Sequence, residues 1–80
     1  METFIGNERY LTHVFKSSTI LVYCKYDTIL SLLLVIFHNG KAYEYSAVDL
    51  DTYQEFISAP SAGTYFCNVI KKKYKTERVI

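Results

Sequence analysis

The chain has 80 residues, half of them hydrophobic, with 8 Tyr and 5 Phe. A chain of this length forms one domain, which buries only about 60% of the surface of its unfolded state. Its apolar content excludes an intrinsically disordered protein. Because the net charge is only +1, the whole molecule neither attracts nor repels a polyanion strongly, and a basic site must be local.

Targeting signals are not evident in the sequence. The longest apolar run, residues 29–37, is shorter than the roughly 18 residues that a membrane-spanning helix needs. The N-terminus has an acidic residue at position 2 and lacks the basic region and apolar stretch of a signal peptide. We therefore expect a cytoplasmic protein that does not contact a membrane.

Residues 1–16 show no clean apolar periodicity, and we interpret them as an N-terminal extension to a domain that spans residues 17–80. Residues 18–26 are rich in β-branched and aromatic side chains, which favour a strand. Residues 29–37 follow as a second strand that is apolar on both alternating faces. A strand of this kind is central and is covered on both sides.

Asn39-Gly40 is the strongest short-range signal for a hairpin, because a type I′ turn needs positive φ at both of its central residues. A two-residue turn there places Ile36 opposite Tyr43 and Leu34 opposite Tyr45. The third strand then covers residues 41–48, with both tyrosines on one face.

Two helices are predicted after the strands. Asp49 can cap a helix over residues 50–59, which Pro60 ends. Ser61 can cap a second helix that runs to about Tyr74. The predicted fold is α+β, a three-stranded antiparallel β-meander followed by two α-helices packed on one sheet face. The second apolar face of the sheet must be covered by the N-terminal extension or by another subunit.

The segment from Ser17 to Tyr74 resembles the KTSC domain family, which is named for its occurrence at the C-terminus of some lysyl-tRNA synthetases. The chain departs from the family pattern at Asp49, where a Pro is frequent, and at Cys67, where an Asn is frequent. The resemblance implies a binding module suggested to contact RNA, without established chemistry. The matching segments are Ser17-Ser18-Thr19-Ile20, Tyr26-Asp27, Leu34-Val35-Ile36-Phe37 before Gly40, Tyr43-Glu44-Tyr45 with Val48, Tyr53, Ala59, Ser61, Gly63-Thr64-Tyr65-Phe66 and Ile70.

Three groups of residues are candidates for ligand binding, and each also has a purely structural interpretation. Aromatic rings at Tyr43 and Tyr45 can stack on nucleobases or pack in the core. The turn before the second helix can bind an anion or serve only as an N-cap. The basic C-terminal cluster can hold phosphates or complement the helix dipole. The residues of the turn are Ser61, Gly63, Thr64 and Tyr65, and those of the cluster are Lys71, Lys72, Lys73, Lys75 and Arg78.

Catalytic and metal-binding patterns are not apparent. Cys24 and Cys67 form no CxxC pair, and His13 and His38 have no partner at the spacing of a zinc site. No Walker loop or Ser-His-Asp order is present. We therefore expect a protein without a cofactor that is not an enzyme.

Our leading hypothesis is a small binding protein for a nucleotide-like molecule or a short RNA. Three or four cations suit such a ligand, whereas a long duplex usually recruits about 6–10 phosphate contacts. One version is a sponge that sequesters a nucleotide signal, such as one used in bacterial immunity against phage. The alternative is a protein-interaction module that forms a homo-oligomer through its uncovered sheet face.

Overall fold

A five-stranded antiparallel sheet forms one layer of the protein in the computed structural model, which describes residues 9–79. Spatial order follows chain order, β1-β2-β3-β4-β5. None of the helices within residues 9–79 has both the length and the apolar character needed to cross a bilayer. The strands are β1 (Tyr10–Val14), β2 (Leu21–Asp27), β3 (Leu32–Phe37), β4 (Ala42–Tyr45) and β5 (Thr76–Arg78).

The helices lie between β4 and β5, and their ends agree with the residues predicted to cap and stop them. Helix α1 (Leu50–Ser58) begins after Asp49, whose carboxylate accepts hydrogen bonds from the hydroxyls of Thr52 and Tyr74 rather than from the helix backbone. Ser61 caps the next helix by accepting a hydrogen bond from the Thr64 N–H at 3.3 Å. Residues 62–73 form α2 (Ala62–Tyr65), a π-helical segment (Phe66–Ile70) and α3 (Lys71–Lys73) in unbroken succession.

The core lies between one face of the sheet and these helices. Leu33 and Val35 of β3 are fully buried, as expected for the inward positions of a central strand. The ring of Tyr26 stacks on that of Tyr53, with centroids 4.9 Å apart, and the Tyr26 hydroxyl donates a hydrogen bond to the Val48 carbonyl. The other buried members of this core are Phe15, Leu21, Cys24, Tyr45, Phe56, Phe66 and Ile70.

The α+β class, the antiparallel sheet and the helices are confirmed, but the predicted number of three strands is wrong. The first additional strand, β1, lies within the predicted extension, of which residues 1–8 are outside the described part of the chain. Its apolar residues Tyr10 and Val14 are exposed while Leu11 and His13 are half-buried, so it shows no hydrophobic alternation. The other, β5, has only three residues, all polar or charged, and such a segment gives no strand signal.

The predicted two-residue turn between β3 and β4 is also wrong. The loop has three residues, 38–40, and is closed by hydrogen bonds from Phe37 N to Lys41 O (2.9 Å) and from Gly40 N to Phe37 O (3.0 Å). Within this loop only Gly40 takes positive φ, at +85°, whereas a type I′ turn requires it at Asn39 as well. A three-residue loop ending in a left-handed glycine is the next most common hairpin connection.

This longer loop shifts the strand register by one residue. Tyr43 lies opposite Val35, and Tyr45 lies opposite Leu33. Both of these β3 residues are fully buried. The two tyrosines therefore share the sheet face that the helices cover, because a shift of one residue exchanges the faces of the partner strand.

Candidate functional site

A cleft of about 680 Å³ lies between the loop that joins β1 to β2 and the corner that joins α1 to α2. We call it the loop–helix cleft. Its volume is within the range of about 300–1,000 Å³ that is usual for small-molecule sites. It is lined by His13, Phe15, Lys16, Ser17, Ser18, Thr19, Ile20, Ile57, Ala59, Pro60, Ser61, Ala62, Gly63, Thr64, Cys67 and Asn68.

The loop wall of the cleft is held by local and long-range hydrogen bonds. The Ser18 hydroxyl oxygen accepts from the backbone N–H groups of Ile20 (3.3 Å) and Leu21 (3.0 Å), which fixes a tight turn. His38, in the β3–β4 loop, donates from its Nε2 to the Ser18 carbonyl at 3.2 Å and from its backbone N–H to the Ile20 carbonyl at 2.9 Å. The loop therefore has a defined conformation although it is exposed.

The helix wall is formed by the Ser61 cap and the first turn of α2. The Ser61 hydroxyl also donates to Thr64 Oγ1 at 2.9 Å, so the two side chains orient each other. A Cβ atom on Gly63 would lie 3.2 Å from Cδ1 of Ile20. Glycine at this position thus lets the two walls approach closely. Sequence reasoning grouped Ser61, Gly63 and Thr64 with Tyr65, and the structure places the first three, but not Tyr65, in the cleft.

The composition of the lining favours an anionic ligand. Among the described residues that line the cleft, Lys16 carries the only fixed charge, and none carries a carboxylate. The α2 corner adds the positive end of the helix dipole. The exposed Ile20 and the half-buried Ile57 provide apolar surface beside the polar wall. Hydroxyl or amide groups come from Ser17, Ser18, Thr19, Ser61, Thr64 and Asn68.

The π-helical segment supplies two of the lining residues, Cys67 and Asn68. A π-helical turn inserts one extra residue into a helix and recurs at functional sites. Cys67 is the position where the family pattern often has Asn, and the amide of this chain lies one residue later, at Asn68. An amide group is therefore still available to the cleft.

The tyrosines of β4 do not line the loop–helix cleft. Tyr45 is only 3% exposed, its ring meets that of Phe66 edge-on with centroids 5.5 Å apart, and burial raises its pKa above the usual value. Tyr43 is half-buried and packs edge-on against Phe37 at 5.6 Å. The packing interpretation of these residues accounts for both rings.

Tyr65 and the lysines of the C-terminal cluster also lie outside the cleft. The Tyr65 ring packs against Phe56, and its hydroxyl donates to Glu55 at 2.9 Å; burial together with this hydrogen bond raises the pKa of Tyr65 to about 12. Lys71, Lys72 and Lys75 are exposed at the far end of the helical region. At 1.5 Å per residue, Lys71 and Lys72 lie roughly 15 Å along the helix from the Ser61 corner, and Lys75 follows the end of α3.

Sequence reasoning missed the half of the cleft that precedes β2. His13, Lys16 and the polar residues 17–19 approach the Ser61 corner only through the tertiary fold. One signal was available, because Ser17-Ser18-Thr19-Ile20 and Gly63-Thr64 both match the family pattern and both lie outside the strands. Matching polar segments in separate loops can indicate a shared site.

A model of the KTSC domain family matches residues 14–74, about three quarters of the chain. The chain belongs to the KTSC domain family. The matched region begins at the last residue of β1 and ends just after α3, so it includes both walls of the loop–helix cleft. The expected resemblance is thereby confirmed.

This KTSC domain is similar to parts of two larger proteins and to one solved structure. Over 55 residues it is 38% identical to a lysine–tRNA ligase from Trichormus variabilis and 36% identical to one from Nostoc sp.. Each match covers 69% of this chain but only 10% of the ligase. The crystal structure of a KTSC domain protein from Yersinia pestis superimposes with a TM-score of 0.79 at 29% identity, covering 89% of this chain and 99% of that one.

Proposed function

We propose that this KTSC domain binds a small anionic ligand of the nucleotide class in the loop–helix cleft. The observation that carries the proposal is the lining of the cleft, in which Lys16 and several hydroxyl and amide groups occur without a carboxylate. Hydrogen bonds in which one partner is charged are about twice as strong as neutral ones. A site with this composition therefore favours phosphate over a cation or a neutral molecule.

A nucleotide fits the remaining features of the cleft better than inorganic phosphate does. A volume of about 680 Å³ is much larger than one phosphate group needs. Ile20, which is exposed, and the half-buried Ile57 supply apolar surface on which a base or sugar can lie, while the polar wall holds the charged end. In this arrangement Tyr43 and Tyr45 act indirectly, since they build the core that supports the helix wall.

Short RNA is the second candidate, and the lysines favour it. Lys71, Lys72 and Lys75 are exposed on one helix end, and the similar ligases from Trichormus and Nostoc are named for a tRNA substrate. An RNA strand could span the roughly 15 Å between this end and the cleft. A mononucleotide could not contact both.

The proposed mode of action is sequestration or presentation of the ligand without chemical change, as in a sponge for a nucleotide signal. Incubating the protein with candidate nucleotides and separating the products by chromatography tests this part. Ligand recovered unchanged after denaturation supports a binding protein. A new product would instead show an enzyme.

Calorimetric titration with cyclic nucleotides, linear nucleotides and short single-stranded RNAs tests the ligand class. Lys16→Glu reverses the charge of the cleft, and Lys71→Glu makes the same change at the far helix end as a matched control. We expect Lys16→Glu to weaken nucleotide binding roughly tenfold or more, from about 1.5–3 kcal/mol for a hydrogen bond to a charged group. Lys71→Glu should leave nucleotide binding unchanged.

Two outcomes would contradict this proposal. The first is binding heat that is seen with RNA but not with nucleotides, and that is lost in Lys71→Glu and retained in Lys16→Glu. This result would assign binding to the basic helix end. The second is the absence of binding heat and of any thermal shift with all of these ligands, which would exclude nucleotides and short RNAs as ligands of this protein.

A further inference from the structure

The sheet face opposite the helices, which we call the open face, carries an apolar row that runs from β1 to β4 and continues at Val79, just after β5. The strand pairings align Val14 with Tyr23, Tyr23 with Ile36 and Ile36 with Ala42, and Val79 bonds to Ala42 from the other edge. Val14 is 55% exposed and Val79 is 47% exposed. Between these ends, Tyr23 and Ile36 are half-buried and Ala42 is only 1% exposed. Exposed apolar side chains that share one face mark a candidate interaction site.

The neighbouring row on the open face is charged, and its charge is asymmetric. It contains Thr12, Lys25, Leu34, Glu44 and Glu77, aligned in that order from β1 to β5. The cation therefore lies on the β2 side of Leu34, and both carboxylates lie on the β4 side. Since strands are about 4.8 Å apart, the backbones of Lys25 and Glu44 are about 10 Å apart, and Lys25 Nζ lies 4.3 Å from the ring centroid of Tyr10 on β1 rather than against Glu44.

We infer that the open face binds a second copy of this chain, related by a two-fold axis that runs parallel to β3 between the two sheets. Rotation about this axis exchanges the β2 and β4 sides of the sheet. Lys25 of each copy then lies over Glu44 of the other, so that the dimer contains two complementary pairs. A two-fold axis perpendicular to the strands would instead place Lys25 over Lys25.

The same rotation also brings the two apolar rows together. Ile36 meets its own equivalent at the axis, and the half-buried Tyr23 of each copy lies over the position of Ala42 in the other, where Ala42 itself is only 1% exposed. Leu34 meets Leu34 in the charged row. Sheets packed face to face in this way are about 10 Å apart with their strands aligned to within about 30°, a spacing that side chains of these sizes fill.

Charge reversal with rescue tests this dimer. Sedimentation velocity from low micromolar to millimolar concentration is applied to the wild type, Lys25→Glu, Glu44→Lys, the double variant and Lys71→Glu. We expect the wild type to reach twice the chain mass of 9.3 kDa. Each single reversal should raise the dissociation constant roughly tenfold or more, because like charges oppose each other twice per dimer. The double variant should restore it, and Lys71→Glu should not change it.

Several outcomes would overturn the inference. One is a wild type that stays monomeric throughout the concentration range, and another is a dimer whose dissociation constant none of the open-face variants changes. A monomer that dimerises only after removal of residues 1–8 would assign the face to the N-terminal segment. If both single variants dimerise more weakly and the double variant does not restore dimerisation, the proposed axis is contradicted. Circular dichroism of each variant identifies any that fails to fold.

Discussion

Replacing Tyr45 by Ala should destabilise the protein rather than remove a ligand contact. The side chain is 3% exposed and packs against the ring of Phe66 and the strand partner Leu33. Truncating a buried aromatic residue to Ala costs about 3–5 kcal/mol. Because 80 residues give a total stability of only about 4–12 kcal/mol, this one change removes a large part of it. Urea unfolding followed by far-UV circular dichroism measures the loss.

Two further variants separate packing from ligand contact. Tyr45→Phe keeps the ring but loses the polar interaction of the hydroxyl with Thr76, and we expect a loss of only about 1 kcal/mol. Tyr43→Ala removes a half-buried ring and should cost about 1–2 kcal/mol. A Tyr45→Ala variant with wild-type stability that no longer binds nucleotide would refute the packing interpretation.

Three other regions give independent predictions. Asp27→Asn should destabilise the protein at neutral pH, because Arg9 and backbone N–H groups hold the pKa of the Asp27 carboxyl below its usual value. The difference in unfolding free energy between wild type and variant should shrink as the pH falls from about 4 to the folded-state pKa of Asp27. Gly40→Ala should cost about 1–2 kcal/mol in urea unfolding, because φ is +85° and no atom crowds the position. Iodoacetamide should modify Cys67 alone in the native protein, since Cys24 is fully buried and burial raises its pKa to about 12; mass spectrometry counts the adducts.

The helical half of the fold could be predicted from sequence because its signals are local. Asp49, Pro60 and Ser61 mark the ends of α1 and the start of the next helix. Asn39-Gly40 likewise located the hairpin correctly. The length of its loop depends on whether Asn39 also takes positive φ, and the dipeptide alone does not decide this. A one-residue error in the loop was enough to change the register of both tyrosines.

The edge strands and the cleft depend on contacts between distant segments. Strand β1 is held by pairing to β2, and no apolar alternation marks it in the sequence. The loop wall of the cleft meets the Ser61 corner across more than 40 positions of the chain, and the space left by Gly63 is filled by Ile20. Sequence spacing identified Ser61, Gly63 and Thr64 as candidate ligand-binding residues. It could not show that Lys16 lines the same cleft, or that the lysines of the far helix end lie outside it.

A titration of the ¹⁵N-labelled protein with nucleoside monophosphates, followed by two-dimensional NMR, tests the proposed ligand site most directly. The amide signals of Ser18, Gly63 and Thr64 should shift most, because these residues form the two walls of the loop–helix cleft. Saturable shifts confined to residues 71–75, or no shifts at nucleotide concentrations that saturate other binding proteins, would contradict the assignment of nucleotide binding to this cleft.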